Sequence, residues 1–205
     1  TANEDRDAKV GLYVLMGRWC ADHLARPDFA IPCYGQALAL DPANDPALEG
    51  TIELYRKAQS WQELAAILLR RAEVASSPTR QRDFYAEAAE VVHRRLGDSG
   101  RAAELFEKVL EADPAHSKAA EALETIYEER KEWKPLVDLL ERKAQSQRGE
   151  DRLATLGAIG EVYEDRIRDL DEAQRHFRLV LAEDARNLAA LKGLERIYAQ
   201  QSKYG

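Results

Sequence analysis

Apolar residues recur along the chain at intervals of three or four, which is the spacing of one helix face. Segment 78–114 is a clear example, because its first apolar stripe ends at a glycine-bounded turn, 97–100, and a second stripe starts at Ala102. The Asp113-Pro114 pair ends the second stripe, since proline disfavours a helical conformation in the residue before it. The pattern predicts two helices joined by a short turn and therefore antiparallel.

The pattern returns about every 71 to 72 residues, and each interval holds two such helix pairs. Three series of matching positions share this period. They are Trp61, Trp133 and Tyr204; Tyr55, Tyr127 and Tyr198; and Ala30, Ala102 and Ala173. A fixed period of this kind is typical of repeat proteins, whose usual role is binding rather than catalysis.

The periodicity predicts an all-α fold of about eleven helices. Their expected spans are 7–25, 28–41, 45–59, 61–75, 79–96, 99–112, 116–130, 133–147, 150–168, 170–183 and 187–201. We expect one domain of stacked hairpins, with units at 7–43, 44–77, 78–115, 116–149 and 150–186 and a partial unit at 187–205. Trp61 and Trp133 are expected to be buried where consecutive hairpins meet.

Composition and charge narrow the possible functions. The chain has 205 residues and a net charge of −7, which argues against nucleic-acid binding, because phosphates require clustered Lys and Arg. The sequence has no stretch of 18 apolar residues and no signal peptide at its start, so we expect no membrane insertion and a cytoplasmic location. The alternative to that location is a targeting signal elsewhere in a longer protein. Cys20 and Cys33 are too few for a disulfide scaffold, and we expect buried free thiols rather than a disulfide.

The sequence contains no catalytic, phosphate-binding or metal-binding motif, so we expect no enzyme activity, no cofactor and no metal. The four histidines fall in different units. Only His93 is a candidate for partner binding, and the alternative is an ordinary surface histidine.

The chain resembles the tetratricopeptide repeat family, whose pattern places aromatic, small and proline residues at fixed positions in about 34 residues. The first unit carries this pattern at Tyr13, Met16, Gly17, Cys20, Ala30, Tyr34, Ala37 and Pro42. Units 7–43, 78–115 and 150–186 each carry about one extra residue in the first helix or its turn. The resemblance implies a right-handed α-solenoid, with first helices lining a concave groove that binds a peptide or a helix of another protein.

The resemblance also implies which residues face that groove. They are Arg18, Glu49, Glu53, Arg56, Glu90, His93, Glu121, Glu128, Glu161, Glu164 and Arg196. No Asn and few Lys occupy the middle of the groove, which disfavours the clamp with which some members of the family hold chaperone tails. Its carboxylates favour a basic extended peptide or a Lys/Arg-rich helix as the partner, and the alternative is a solvated face that keeps the protein soluble.

The first helix is apolar nearly all round, which implies burial on more than one side. Val14, Leu15 and Trp19 are candidates for a hydrophobic end-pocket that accepts a partner's side chain. The alternative is that upstream residues or another copy cover this surface.

Two further expectations concern the whole protein. We expect the chain to be a segment of a longer bacterial scaffold, which continues by at least one more helix after Gly205. The second functional hypothesis is therefore a structural spacer, or a segment that self-associates through its exposed terminal helices, with the binding site in other repeats.

Overall fold

The computed structural model describes residues 2–202, and their side chains from Glu4 onward. Within this range the chain forms eleven helices and no strand, which confirms the all-α class. The helices are α1 Ala2–Asp22, α2 Pro27–Leu40, α3 Asp45–Lys57, α4 Trp61–Glu73, α5 Pro78–Val91, α6 Ser99–Ala112, α7 Ser117–Arg130, α8 Trp133–Ser146, α9 Gly149–Val162, α10 Leu170–Glu183 and α11 Leu188–Gln201. Tyr204, the third member of the tryptophan series, lies outside the described residues.

The helices group into two compact units that divide between Asp113 and Pro114. Unit 1 contains α1 to α6, and unit 2 contains α7 to α11. Each helix packs against the next in its unit, and the first helices of successive hairpins also touch, α1 against α3 and α9 against α11. Each unit is thus a stack of antiparallel hairpins, as the short turns predict. That the whole chain is one continuous domain remains a prediction.

Side-chain caps fix where several helices begin. The carboxylates of Asp98 and Asp169 accept hydrogen bonds from backbone N–H groups three residues later, at 3.0 and 3.1 Å. The amide oxygens of Asn44 and Asn187 do the same at the starts of α3 and α11, at 3.2 and 3.1 Å. These caps pair backbone donors that have no partner within the helix.

The first helices of repeats 78–115 and 150–186 each end in a wide turn, which accommodates the extra residue of that repeat. After α5 and α9 the chain makes one π-helical turn, at Val92–Leu96 and Tyr163–Ile167. Gly97 and Arg168 then adopt left-handed conformations, with φ of 68° and 67°. A π-helical turn takes up one inserted residue without breaking the helix. Residues in and after these turns therefore face directions that a regular α-helix would not give them.

At two places in the fold, an aromatic ring from one helix packs against glycines of two other helices. In unit 1 the Tyr34 ring of α2 packs against Gly17 of α1 and Gly50 of α3, and a Cβ added at Gly17 would lie 2.6 Å from Tyr34 Cε1. In unit 2 Phe177 of α10 packs against Gly160 and Gly193, where added Cβ atoms would lie 2.8 and 2.6 Å from the ring. Glycine at these positions lets the helices approach the ring closely, because any larger residue overpacks the contact.

Replacing Gly50 by alanine is expected to lower the free energy of unfolding by about 1–3 kcal/mol, because the methyl group collides with the Tyr34 ring. Gly35 is the matched control, since an added Cβ there meets nothing within 4 Å. Gly35→Ala should stabilise the protein by roughly 0.5–1 kcal/mol through helix propensity. Urea denaturation followed by circular dichroism measures both, and equal effects of the two substitutions would contradict the packing described here.

Trp61 and Trp133 are half-buried, so the expectation that they are buried is wrong. Each ring keeps an open side on which an arginine lies. The Arg95 guanidinium is 4.7 Å from the Trp61 ring centroid, and the Arg166 guanidinium is 5.3 Å from that of Trp133. Cation–π contact of this kind is favourable while the cation stays hydrated.

Cys20 and Cys33 are free and half-buried rather than fully buried. Burial raises the pKa of the Cys33 thiol, which keeps it protonated and unreactive.

Candidate functional site

Two neighbouring cavities open on unit 2, one on either side of α9. The first, the Trp133 cavity, has a volume of about 380 Å³. Its floor includes the Trp133 ring, and three carboxylates surround it. The lining residues are Glu128, Trp133, Leu136, Ala158, Glu161, Val162, Asp165 and Arg166.

The second, the Phe177 cavity, has a volume of about 450 Å³ and lies between α9 and α11 over the ring of Phe177. Its floor is apolar and built largely from small residues, whereas its charged lining residues are all acidic. The lining residues are Glu150, Leu153, Ala154, Gly157, Ala158, Glu161, Phe177, Val180, Asp184, Asn187, Ala189 and Ala190.

Ala158 and Glu161 line both cavities, so the two form one acidic surface across α9, here called the α9 surface. Five carboxylates line it, against the single guanidinium of Arg166, which lies over the Trp133 ring. One oxygen of the Asp184 carboxylate already has a hydrogen bond, because Oδ1 accepts from the Arg186 backbone N–H at 3.0 Å. The α9 surface therefore carries a negative potential that attracts cations.

Unit 1 has a cavity at the corresponding first helices, α1 and α3, but its charges are mixed. The volume is about 260 Å³, and Arg18 and Lys57 offset the carboxylates of Asp22, Glu49 and Glu53. The buried ring of Tyr34 forms part of its wall, and burial raises the pKa of that phenol. Attraction of a cation is consequently weaker here than at the α9 surface.

Most of the predicted groove residues are exposed, which both a binding face and a solvated face would show. Those exposed are Arg18, Glu49, Glu53, Arg56, Glu90, Glu121, Glu128, Glu161 and Arg196, and His93 is half-buried. Arg56 forms a salt bridge with Glu87 on the neighbouring hairpin. Glu128 and Glu161 lie together around the Trp133 cavity of unit 2, and Arg18, Glu49 and Glu53 lie together around the cavity of unit 1.

Glu164 does not lie on an exposed acidic strip, and that expectation is wrong. Its side chain is 2% exposed, and its two carboxylate oxygens accept hydrogen bonds from Arg196 Nε and Nη2 at 2.9 and 2.7 Å. Gly160, which precedes Glu164 by four residues, is buried against Phe177. Residues four apart share a helix face, so Glu164 lies on the inward face and reaches Arg196 of α11. The same hydrogen bonds raise the pKa of Arg196. These two residues form an internal ion pair rather than two separate contact residues.

The predicted end-pocket residues lie on an apolar stripe of α1. Leu15 is 63% exposed and Trp19 57% exposed, whereas Val14 is half-buried. Leu12 and Met16 extend the stripe, and Trp19 stacks on His23 with ring centroids 4.0 Å apart. The surface is apolar, as the sequence predicts.

Sequence reasoning missed the role of Trp133, Asp165 and Arg166 in a cavity, because it assigned the tryptophans to the core. The sequence nonetheless contains a feature that points to this role. Arg95 and Arg166 are 71 residues apart, so they recur with the same period as Trp61 and Trp133. An arginine that recurs with a tryptophan indicates a stacked pair, which keeps one side of the ring near solvent.

The other histidines have structural roles. His176 is 2% exposed, with its Nε2 3.5 Å from a carboxylate oxygen of Glu141, and burial lowers its pKa. His116 begins α7, where its Nδ1 accepts a hydrogen bond from the Ala119 backbone at 3.2 Å.

Among residues 2–202, no group of three or more His, Cys, Asp or Glu side chains has an arrangement that could hold a metal ion. No helix in this range combines the length and the apolar character needed to cross a bilayer.

Comparison with known proteins supports the repeat assignment. The tetratricopeptide repeat family model matches residues 84–116, which span most of α5, its π-helical turn and α6. No curated protein matches the chain in sequence.

Several solved structures are similar to the chain at low identity. A crystal structure of MamA protein is 17% identical, with 86% of this chain and 92% of that chain covered and a TM-score of 0.46. PilF of Pseudomonas aeruginosa is 19% identical, with 93% and 82% covered and a TM-score of 0.43. YrrB, a TPR protein with an unusual peptide-binding site, is 12% identical, with 89% and 90% covered and a TM-score of 0.45.

The family match falls on the hairpin of α5 and α6, and each unit is built from hairpins of the same kind. The sequence period carries the aromatic and small residues of that hairpin through the rest of the chain. The chain therefore contains one hairpin that matches the tetratricopeptide repeat model, within a series of hairpins that repeat the same residue pattern.

Proposed function

We propose that this protein is a protein–protein interaction scaffold and that its α9 surface binds a basic segment of a partner, either an extended peptide or a Lys/Arg-rich helix. The observation that supports this proposal is the pair of adjoining cavities whose lining carries five carboxylates and one stacked guanidinium. The role requires no catalytic step and no cofactor.

The Trp133 cavity suits a lysine or arginine side chain in particular. Glu128, Glu161 and Asp165 line it beside the Arg166 guanidinium that covers the Trp133 ring, so an entering cation meets three carboxylates against one positive charge. Contacts of this kind raise the association rate and fix the register of the partner more than they deepen affinity. Binding should therefore weaken with salt, since the Debye length falls from about 10 Å at 0.1 M to about 3 Å at 1 M.

Selection of a random 12-residue peptide library on the purified chain provides ligands for testing this proposal. We expect enrichment of Lys and Arg, and we expect Glu128→Lys to weaken the best synthetic peptide by at least tenfold in isothermal titration calorimetry at 0.1 M salt. Glu129→Lys is the matched control, because Glu129 is an exposed neighbour on α7 that lines neither cavity. Equal affinities of the two variants, or indifference to salt, would contradict the proposal.

A second candidate function, self-association, rests on the apolar stripe of α1. Leu12, Leu15, Met16 and Trp19 lie on one helix face and are each at least 45% exposed. Exposed apolar patches commonly mark contact surfaces. Light scattering at several protein concentrations tests this alternative. If α1 mediates self-association, the wild-type mass should rise with concentration, whereas Leu15→Asp should leave the chain monomeric.

A further inference from the structure

We infer that the Phe177 cavity accepts an apolar side chain of the same partner, so that the recognised segment carries one basic and one apolar residue about three positions apart. This inference rests on the proposed function, since it places the basic residue in the Trp133 cavity. It adds a second specificity element, which charge attraction alone does not supply.

The floor of the Phe177 cavity can hold an apolar group. Leu153, Ala154 and Ala158 supply the accessible apolar surface. Phe177 and Val180 lie beneath it, each 1% exposed, and the small residues on α9 and α11 leave the space above open. A Cβ added at Gly157 would meet nothing within 4 Å, which shows that the α9 side of the cavity is unfilled. A volume of about 450 Å³ is ample for a leucine, isoleucine, methionine or phenylalanine side chain.

The charges at the rim of the cavity favour basic residues in the partner beside that apolar side chain. Glu150, Glu161 and Asp184 are the charged residues that line it, and Glu150 and Glu161 are exposed. An apolar side chain flanked by Lys or Arg complements such a rim, whereas a flanking Asp or Glu meets like charge. The occupant is therefore a basic-flanked apolar residue of a partner protein.

The spacing follows from the position of α9 between the cavities. Ala158 and Glu161 line both, so the cavities adjoin across α9, and we infer a separation of about one helix diameter, roughly 10 Å. An extended chain advances about 3.3 Å per residue. A peptide that crosses α9 in extended form thus places residues i and i+3 in the two cavities.

The selected peptide library tests the spacing directly. We expect enriched sequences to carry Lys or Arg three positions away from Leu, Ile, Met or Phe. Replacing that apolar residue by serine in the best peptide should reduce its affinity at least tenfold, and moving it by one position should do the same. Enrichment of basic residues without a fixed apolar position would overturn the inference and leave the proposed function standing.

Gly157 offers a variant that closes the cavity without disturbing the core. Gly157→Leu places a side chain in the open space and improves helix propensity, so the fold should be retained, as a circular dichroism melt would verify. We expect at least a tenfold loss of peptide affinity by isothermal titration calorimetry. Gly157→Ala, which adds a single methyl group, should bind within about twofold of wild type.

The two proposals fail differently. Affinity that falls with Glu128→Lys but is unchanged by Gly157→Leu would overturn the apolar site alone. Affinity that is unchanged by both would overturn the basic-partner proposal and the apolar site together.

Discussion

Replacing Arg196 by methionine is expected to lower the free energy of unfolding by about 3–5 kcal/mol, which is the usual cost of leaving one partner of a buried ion pair uncompensated. The Glu164 carboxylate is 2% exposed and receives both of its side-chain hydrogen bonds from this guanidinium. Without Arg196, this buried carboxylate loses the hydrogen bonds that offset its desolvation. Because Arg196 is itself 49% exposed, we expect a value near the lower end of that range.

The measurement is urea denaturation followed by circular dichroism, with three controls. Arg196→Lys should lose part of the stability, since an ammonium group cannot bond both oxygens in the same planar geometry. The double variant with Glu164→Leu and Arg196→Met should recover most of the loss, because it removes the buried charge as well. Arg178→Met, which loses an exposed hydrogen bond to Tyr198, should cost less than about 1 kcal/mol. An Arg196→Met protein as stable as wild type would refute the pairing.

Truncating Phe177 to alanine is expected to cost about 3–5 kcal/mol, through lost transfer free energy and the void left behind. The ring is 1% exposed and packs against glycines of both α9 and α11, so one substitution loosens three helices. The loss should appear in the unfolding of unit 2, because these helices all belong to it.

A double-mutant cycle isolates the contact between the ring and the glycine. Gly193→Ala should cost about 1–3 kcal/mol in the wild-type protein, where the added methyl group meets Phe177. In the Phe177→Ala background the same change should be close to neutral or stabilising, because the space is vacant and alanine favours a helix. Equal costs in the two backgrounds would show that the ring and Gly193 do not interact.

Most of the fold could be predicted from the sequence because its signals are local and repeated. The starts and ends of α6, from Ser99 to Ala112, and α10, from Leu170 to Glu183, agree with the expected spans. Asp98 and Asp169 cap these helices, and left-handed residues precede the caps. Such features involve neighbouring residues only, so periodicity and turn chemistry suffice to locate them.

Prediction of the candidate site requires contacts between residues that lie far apart in the sequence. Glu164 follows the buried Gly160 by four residues, but its partner Arg196 lies 32 residues later on α11, and periodicity alone does not pair the two. The apolar character of Trp133 indicated burial, although Arg166 leaves the ring half-exposed at the edge of a cavity. Helix faces can be predicted from a sequence, whereas the pairing of distant side chains and the space between helices depend on packing.

The positions of the three tryptophans have a spectroscopic consequence. Trp61 lies in unit 1 and Trp133 in unit 2, each half-buried beneath an arginine, whereas Trp19 is exposed on α1. Indole emission shifts to longer wavelength when the ring becomes hydrated, so Trp19 should contribute a nearly constant background. Trp61→Phe and Trp133→Phe variants would then report unit 2 and unit 1 separately, and their fluorescence would show whether the two units melt together or in turn.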